Sequence, residues 1–338
     1  MKKILCILLT IALLLPTLAS CDFKFLNPQG PTTTGGPDNT PIKVGLLSGT
    51  TGMGAAKLWA DADPRYTFEL YGTAPDTLVS DLASGAVTMA ALPTNAAAIY
   101  SNRTNGKIKV LALNTLGVLY VLDRTGTVSS LADLAGKDVY VPMPGQNPQY
   151  IVEHILDETG IEANLHVGMT ADELATALLS NEGEFANIQI AVLPQPKVTV
   201  VQMQATQQGL TDLTVPINLS TEWDKIEDTP IPQGCLVANA KFCEEHPAAV
   251  AEFLAAYKAS IEYMSAPATL DAAAALVVEK GIIPKLPIAK AALPKCSLAY
   301  LDGAEMKEAL TSFYTILYAA NPQSVGGALP TDAFYYIP

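Results

Sequence analysis

The sequence predicts an α/β fold in which two lobes face each other across a ligand cleft. Short apolar segments, typical of buried strands, alternate with amphipathic helical segments along the chain. Loops rich in Gly, Pro, Ser, Thr and Asn follow four of the predicted strands, two early in the chain and two later. Ligands of open α/β sheets bind beyond the carboxyl ends of strands. The two pairs of loops therefore predict two lobes with a cleft between them.

The first 20 residues predict a lipoprotein signal peptide. Lys2 and Lys3 form a basic start, and the apolar run from Ile4 to Leu15 is shorter than the roughly 20 residues that span a bilayer. The sequence Leu18-Ala19-Ser20-Cys21 resembles a bacterial lipobox, which implies cleavage before Cys21 and acylation of that cysteine, for example with palmitate. We therefore expect an extracytoplasmic protein anchored to the cell membrane at Cys21. The alternative is a plain secretory signal in which Cys21 is incidental.

Residues 21–41 predict a flexible tether, because they are rich in Pro, Gly and Thr and offer little apolar surface to bury. The rest of the chain is long enough for one large domain or two medium lobes. The formal charge of the chain is −13, and removal of Lys2 and Lys3 makes it −15. This balance argues against nucleic acid or an anionic lipid surface as a partner.

Three cysteines remain once Cys6 is removed with the signal peptide and Cys21 is acylated. Cys235, Cys243 and Cys296 have neither CxxC nor metal-ligand spacing, and their number is odd. We expect them to be small buried apolar residues. A disulfide between two of them stays open, because the compartment permits one.

Each predicted element follows from a local pattern in the sequence. Asn147 and Pro148 are typical of a helix start and Gly160 of a helix end, while Thr170 and Glu173 have capping-box spacing. The alternation of elements predicts largely parallel sheets. The predicted strands are 42–47, 66–71, 87–92, 108–113, 117–123, 137–141, 188–193 and 235–238, and the predicted helices are 55–60, 77–83, 96–100, 148–158 and 171–179. Two further helices have apolar faces formed by Val250, Phe253, Leu254, Tyr257, Ile261 and Met264, and by Met306, Leu310, Phe313 and Leu317.

The four loops that follow predicted strands supply the candidate ligand-binding residues. They are Ser48–Gly54, Pro93–Asn95, Pro144–Pro148 and Pro194–Pro196. Their hydroxyl, amide and backbone N–H groups can form hydrogen bonds with a solute. We therefore predict contacts to a solute from Ser48, Gly49, Thr50, Thr51, Gly52, Met53, Thr94, Asn95, Gln146, Asn147 and Gln195.

The sequence contains no recognisable catalytic, cofactor-binding or metal-binding set. His154, His166 and His246 are scattered and lack metal-ligand spacing. Gly52-Met53-Gly54 lacks the third glycine of a dinucleotide fingerprint. We therefore expect a binding protein that uses neither a cofactor nor a metal ion.

The order of several motifs resembles the nitrate, sulfonate and thiamine-precursor group of ABC-importer solute-binding proteins. The segments 131–139 and 183–196 carry this resemblance most clearly. The full set of motifs is Ile42–Gly54, Ser84-Gly85 followed by Ala90-Ala91-Leu92-Pro93, Asp133-Leu134-Ala135-Gly136-Lys137, Pro144–Pro148, Ala191–Pro196 and Gly326–Pro330.

The resemblance implies a two-lobed type II periplasmic-binding fold that closes on its ligand by a hinge motion. Lobe one would comprise residues 42–123 and 238–338, and lobe two residues 124–237, with crossovers near 121–127 and 234–239. It also implies a monomer that delivers its solute to ABC permease subunits. The alternatives are a ligand-presenting or sensory lipoprotein without a transporter, and an enzyme on the same fold.

The solute itself is only partly constrained by the sequence. Arg65, Arg103 and Arg124 are the only arginines, and none lies in the four loops, so no clamp for an oxyanion is evident. The hydroxyl and amide groups favour a small organic solute that is neutral or mildly polar, heteroaromatic compounds included. An anion stays open, because the helix starts after Gly52 and Asn147 could bind one through N–H groups.

Overall fold

The computed structural model of the chain describes residues 38–73, 75–180 and 183–337. The predicted signal peptide, Cys21 and the tether as far as residue 37 lie outside the described residues. The described part contains two β-sheets, each flanked by helices.

The first sheet has six strands, β1 (Ile42–Leu46), β2 (Tyr66–Leu70), β3 (Met89–Pro93), β4 (Ile108–Leu116), β10 (Pro232–Asn239) and β11 (Leu298–Asp302). Their order in the sheet is β2-β1-β3-β10-β4-β11. The strands β1, β3 and β10 are almost fully buried, which matches their continuous apolar sequences.

The second sheet has five strands, β5 (Leu119–Asp123), β6 (Asp138–Val141), β7 (Asn164–Val167), β8 (Ile190–Pro194) and β9 (Thr214–Asn218). Their order in the sheet is β7-β6-β8-β5-β9. The central strand β8 and its neighbour β5 are the buried ones.

Thirteen α-helices connect and cover the strands in the described part of the chain. Short 3₁₀ turns occupy several of the remaining connections. The helices are α1 (Thr50–Met53), α2 (Ala56–Ala60), α3 (Pro75–Ser84), α4 (Thr94–Arg103), α5 (Asn147–Thr159), α6 (Ala171–Ser180), α7 (Lys197–Gln208), α8 (Leu219–Trp223), α9 (Ala240–Glu245), α10 (Pro247–Ser265), α11 (Leu270–Glu279), α12 (Leu286–Ala292) and α13 (Gly303–Ala320).

Both sheets are mixed, so the prediction of largely parallel sheets is wrong. β10 runs antiparallel to β3 and β4, and β5 runs antiparallel to β8 and β9. β10 and β5 are the first strands after the chain enters a sheet from the other one, and each is inserted between two strands that run in the opposite direction. The pairs β1 with β3 and β6 with β8, whose strands are connected through helices within one sheet, are parallel.

The chain passes between the sheets at residues 117–118 and 224–231. The crossovers predicted at 121–127 and 234–239 differ from this, because β5 already belongs to the second sheet and β10 to the first. Only Gly117 and Val118 separate β4 from β5, so one nearly continuous apolar run contains strands of both sheets. Such a run does not reveal where the chain changes sheet.

Local signals at the helix ends are confirmed with small shifts. Thr170 and Glu173 form the reciprocal capping box, with N-to-oxygen distances of 2.7 and 3.2 Å. Gly160 ends α5 in the left-handed conformation, at φ 67°. Asn147, predicted as the N-cap of α5, is instead its first helical residue, and Gln146 is the N-cap.

The long helices of the last third bury the predicted faces. Every residue predicted for the apolar faces of α10 and α13 is buried. In the described part of the chain no single helix is long and apolar enough to cross a membrane. The helices Pro247–Ser265 and Pro267–Glu279 meet that length and apolarity only as a pair, and they are bent by 76°.

The three predicted core cysteines are free thiols. Cys235, Cys243 and Cys296 are all buried and unpaired. Burial raises the pKa of Cys243 and of Cys296 to about 12 and raises that of Cys235 further. A buried protonated thiol is a poor nucleophile.

We therefore expect the three thiols to resist alkylation in the folded protein. Iodoacetamide at pH 7.5 should leave a chain without residues 1–21 unlabelled, because reagent access requires unfolding. The same chain in guanidinium chloride without reductant should gain three labels, counted by intact-mass spectrometry. One label in denaturant would instead indicate a disulfide.

Candidate functional site

Polar segments lie at the carboxyl ends of four strands, two in each sheet. They follow β1, β3, β6 and β8. The start of β10 reaches the same edge of the first sheet, because β10 is antiparallel to β3 and pairs Gly234 with Pro93. Pro232 and Gln233 therefore lie beside the residues that follow β3. The candidate set from the sequence includes neither of them.

Thr94 connects four segments of the chain. Its hydroxyl donates to the carbonyl oxygen of Pro232 at 2.7 Å and accepts from Asn147 Nδ2 at 3.0 Å. Its own carbonyl oxygen accepts from the Tyr314 hydroxyl at 2.8 Å. Burial raises the pKa of Tyr314 well above its ordinary value, so this phenol stays protonated as a donor. Thr94 itself is fully buried in the first turn of α4, where the sequence predicts a loop.

A second hydrogen bond joins the same two helices as the bond from Asn147 to Thr94. Asn95 Nδ2 donates to Gln146 Oε1 at 3.1 Å. Both bonds link the start of α4, which follows a strand of the first sheet, to the start of α5, which follows a strand of the second. We call Thr94, Asn95, Gln146, Asn147 and the adjacent Pro232–Gln233 the α4–α5 junction.

Asn114, on β4, holds the segment after β1 in place. Its Nδ2 donates to the carbonyl oxygen of Thr51 at 3.2 Å and to the Tyr257 hydroxyl at 3.1 Å. Its Oδ1 accepts from Thr115 Oγ1 at 3.0 Å. A Cβ on Gly234 would lie 2.5 Å from Thr51 Cγ2, so the backbone of β10 passes directly beside Thr51. Thr51 is thereby next to the strand that begins with Pro232.

The other predicted residues after β1 fall into two groups. Ser48 and Gly49 are half-buried, and Thr50 is buried at the start of α1, a helix that replaces part of the predicted loop. Gly52 lies against the backbone of Leu47, directly after β1, and Met53 is fully buried in a cluster with Ala56 and Met264. Met53 is therefore packed in the core, and no described contact connects it to the junction.

Gln195 is separate from the junction. It is 3% exposed, and its Oε1 accepts from Thr199 Oγ1 at 2.8 Å in the first turn of α7. Its backbone N–H donates to the Val118 carbonyl oxygen at 2.9 Å. The antiparallel pairing of β5 with β8 places Val118 there. None of these contacts joins Gln195 to the other predicted site residues.

Several buried polar atoms at and near the junction have no hydrogen-bond partner in the protein. Among the described residues, these atoms are Asn95 Oδ1, Asn147 Oδ1, Gln233 Oε1 and Ser220 Oγ. Unpaired buried amide oxygens are unusual in native proteins. Three of the four belong to the α4–α5 junction, which therefore has acceptors to offer a bound molecule. Ser220 could not be predicted, because it lies on the short helix α8 after an edge strand.

Lys197 and the three arginines either pair with an acidic residue or lie away from the junction. Lys197, just after Pro196, pairs with Asp172. Arg124 pairs with Asp212 at 2.8 Å, and Arg65 pairs with Asp63 at 2.8 Å. Arg103 is exposed at the far end of α4, nine residues and about 13 Å along the helix from Thr94.

Other polar features lie away from the junction. His154 Nε2 contacts Glu227 Oε1 at 2.7 Å, and His166 Nε2 contacts Asp138 Oδ1 at 2.9 Å. The described residues contain no group of three or more side chains suited to hold a metal ion. A surface pocket of about 330 Å³ is lined by Tyr140 and His166, among others, and another of about 460 Å³ lies between α6 and α7. Neither includes a predicted site residue.

Comparison with known families gives one match. The model of the family described as "NMT1/THI5 like" matches residues 72–268, more than half of the chain. The matched range contains the whole α4–α5 junction. No curated protein matches the sequence.

Solved structures share the fold at low sequence identity. An ABC transporter protein from Parabacteroides distasonis is 23% identical, with a TM-score of 0.71, over 88% of this chain and 99% of that one. The periplasmic aliphatic sulphonate-binding protein SsuA from Escherichia coli is 14% identical, with a TM-score of 0.68, over 88% and 92%. The periplasmic nitrate-binding protein NrtA from Synechocystis is 14% identical, with a TM-score of 0.58, over 86% and 85%. The two sheets and these similarities confirm the predicted type II periplasmic-binding fold.

Proposed function

This chain belongs to the NMT1/THI5-like family, and we propose that it is an extracytoplasmic solute-binding protein. It captures a small organic solute at the α4–α5 junction and delivers it to an ABC import permease. The observation that carries this proposal is the pair of hydrogen bonds that joins α4 to α5, Asn147 to Thr94 and Asn95 to Gln146.

These bonds support capture by closure of two lobes. A solute that contacts both helix starts interacts more strongly with the closed arrangement than with an open one, and its binding therefore favours closure. We propose residues 42–116 with 232–337 as one lobe and 119–223 as the other, following the two sheets. The crossovers at 117–118 and 224–231 would then form the hinge.

The solute we propose is small and neutral or mildly polar, heteroaromatic compounds included. The polar segments after β1, β3, β6 and β8 and the start of β10 contain no charged side chain. Recognition would rest on the amide and hydroxyl groups of the junction and on its shape. This chemistry supports binding without bond-making.

The proposal includes lipid anchoring at Cys21. The lipobox-like sequence before Cys21 supports acylation there, and residues 21–41 would tether the binding domain to the membrane as a monomer. Anchoring would keep the protein near its permease and raise its effective concentration there.

The combined substitution Thr51→Ala with Asn147→Ala should weaken solute binding by roughly tenfold to a hundredfold and leave the fold intact. Asn147→Ala removes a junction amide, and each lost hydrogen bond costs about 1 kcal/mol. Thr51→Ala removes the side chain beside the start of β10. Isothermal titration measures the change, with circular dichroism as the control for folding. Equal affinity of the double variant and the wild type would contradict this site.

The solute for that titration comes from a thermal-shift panel on the chain without residues 1–21, refolded to remove carried-over ligand. Thiamine precursors, flavins, purines, sulfonates, nitrate and amino acids are added singly. A solute at 100 times its Kd adds about 2.7 kcal/mol of stability, which is a clear rise in melting temperature.

A further inference from the structure

We propose that the junction recognises its solute as a hydrogen-bond donor, through N–H or O–H groups that the solute presents to the side-chain oxygen of Asn147 and to its neighbours. This inference rests on the proposed function and narrows its substrate class. An oxyanion such as a sulfonate or nitrate, which only accepts hydrogen bonds, would not satisfy these atoms.

Counting protons fixes the orientation of the Asn147 amide. The Thr94 hydroxyl has a single proton, and the carbonyl oxygen of Pro232, 2.7 Å away, can only accept it. The hydroxyl oxygen of Thr94 therefore faces Asn147 as an acceptor at 3.0 Å, and Asn147 must turn its NH₂ group toward it. The Oδ1 atom of Asn147 consequently points away from Thr94 as an acceptor.

That acceptor is buried and unpaired. Asn147 is 1% exposed, and its Oδ1 has no partner in the protein. Asn95, fully buried next to Thr94, uses its NH₂ group on Gln146 and has an unpaired Oδ1 as well. Gln233 adds a third unpaired oxygen beside Pro232. A buried acceptor is stabilised only by a donor, so the junction is complementary to a donating solute.

Several backbone positions at the start of α5 have no N–H group free for an anion, although helix starts often bind one. Pro148 has no N–H group. The N–H group of Gln149 donates to the Gln146 carbonyl oxygen at 3.2 Å, and that of Gly145 donates to Gln149 Oε1 at 2.8 Å. The N–H group of Gln146 donates to the Met143 carbonyl oxygen at 3.1 Å. The turn therefore uses these donors internally.

The test is affinity selection from a mixture. The full chain, purified in detergent and refolded, is incubated with a bacterial metabolite extract to which methanesulfonate and nitrate are added. Retained small molecules are identified by mass spectrometry. We expect the retained solute to carry N–H or O–H donors, with enrichment over the two added oxyanions of at least tenfold.

Two substitutions of similar size separate donor recognition from a purely structural role. Asn147→Leu removes the acceptor and should reduce retention of that solute at least tenfold. Asn147→Asp loses the amide donor to Thr94, as Asn147→Leu does, but keeps an oxygen acceptor for the solute. It should therefore retain the solute better than Asn147→Leu, and better still if the solute is cationic. Thermal melting of both variants checks that each is folded.

Each outcome decides a different claim. If the wild type retains an acceptor-only anion and Asn147→Asp does not, donor recognition is wrong, but the binding function still stands. Asn147→Asp losing the solute as completely as Asn147→Leu, while folded, would also overturn donor recognition. Retention of no solute by the folded wild type would contradict the binding function itself, and with it this inference.

Discussion

Thr94→Val should destabilise the protein by about 2–4 kcal/mol. Valine keeps the shape of threonine but removes the hydroxyl group, and a buried polar group left without its partner costs about 1–3 kcal/mol. Two groups lose a partner, the carbonyl oxygen of Pro232 and the NH₂ group of Asn147. The melting temperature should fall by roughly 3–6 °C for a folded part of about 300 residues, measured by circular dichroism.

Thr206→Val is the matched control for this substitution. Thr206 is exposed on α7, and its hydroxyl donates to the Gln202 carbonyl oxygen at 2.9 Å in the same helix. Water can replace that contact, so the stability should change by no more than about 0.5 kcal/mol. Equal effects of the two substitutions would show that the Thr94 contacts contribute little.

Thr94→Val also tests whether the junction binds the solute. The Thr94 hydroxyl orients Asn147, since it accepts from the Asn147 amide. Without it, the amide is free to rotate and solute affinity should fall as well as stability. An affinity that is unchanged at a temperature where the variant is folded would separate the stabilising contact from solute binding.

The fold could be predicted from the sequence wherever a local pattern determines the structure. The apolar faces of α10 and α13 and the cap at Gly160 depend on residues at most four positions apart, and each is confirmed. The strand direction of β5 and β10 depends on which sheet the chain has come from. No periodicity within a strand carries that information.

Only part of the candidate site could be predicted from the sequence. A polar residue at the end of an apolar strand is visible in the sequence, and this pattern selects Thr94, Asn95, Gln146 and Asn147 as candidates. Their partners are distant: Pro232 lies 138 residues from Thr94, and Tyr314 lies 220 residues from it. Such contacts arise from the antiparallel entry of β10 and the packing of α13, which follow from tertiary structure.

The segment after β1 shows how a correct pattern can mislead about individual residues. Its glycines and threonines have the composition of a ligand loop, but close packing needs small residues too. Met53 lies in the core, and Gly52 is required by the nearby backbone of Leu47. Composition alone cannot distinguish a glycine that leaves room for a ligand from one that leaves room for the chain itself.

Gly52→Ala should destabilise the protein by about 3 kcal/mol, at the upper end of overpacking substitutions. A Cβ at this position would lie 2.1 Å from the carbonyl oxygen of Leu47, the residue that directly follows β1. A side chain could rotate away, but a backbone carbonyl cannot, so either β1 or α1 must move. Because Thr51 is the next residue, that movement should also weaken solute binding.

Gly168→Ala provides the control, since no atom lies within 4 Å of a Cβ there and the glycine is exposed. Its effect on unfolding in urea should be no more than about 0.5 kcal/mol. If Gly52→Ala unfolds at the same urea concentration as Gly168→Ala, the contact with Leu47 is relieved at little cost, and α1 must be mobile relative to β1. A large loss confined to Gly52→Ala would instead show that glycine at position 52 serves the packing of β1 against α1, and that the sequence pattern there reflects stability before function.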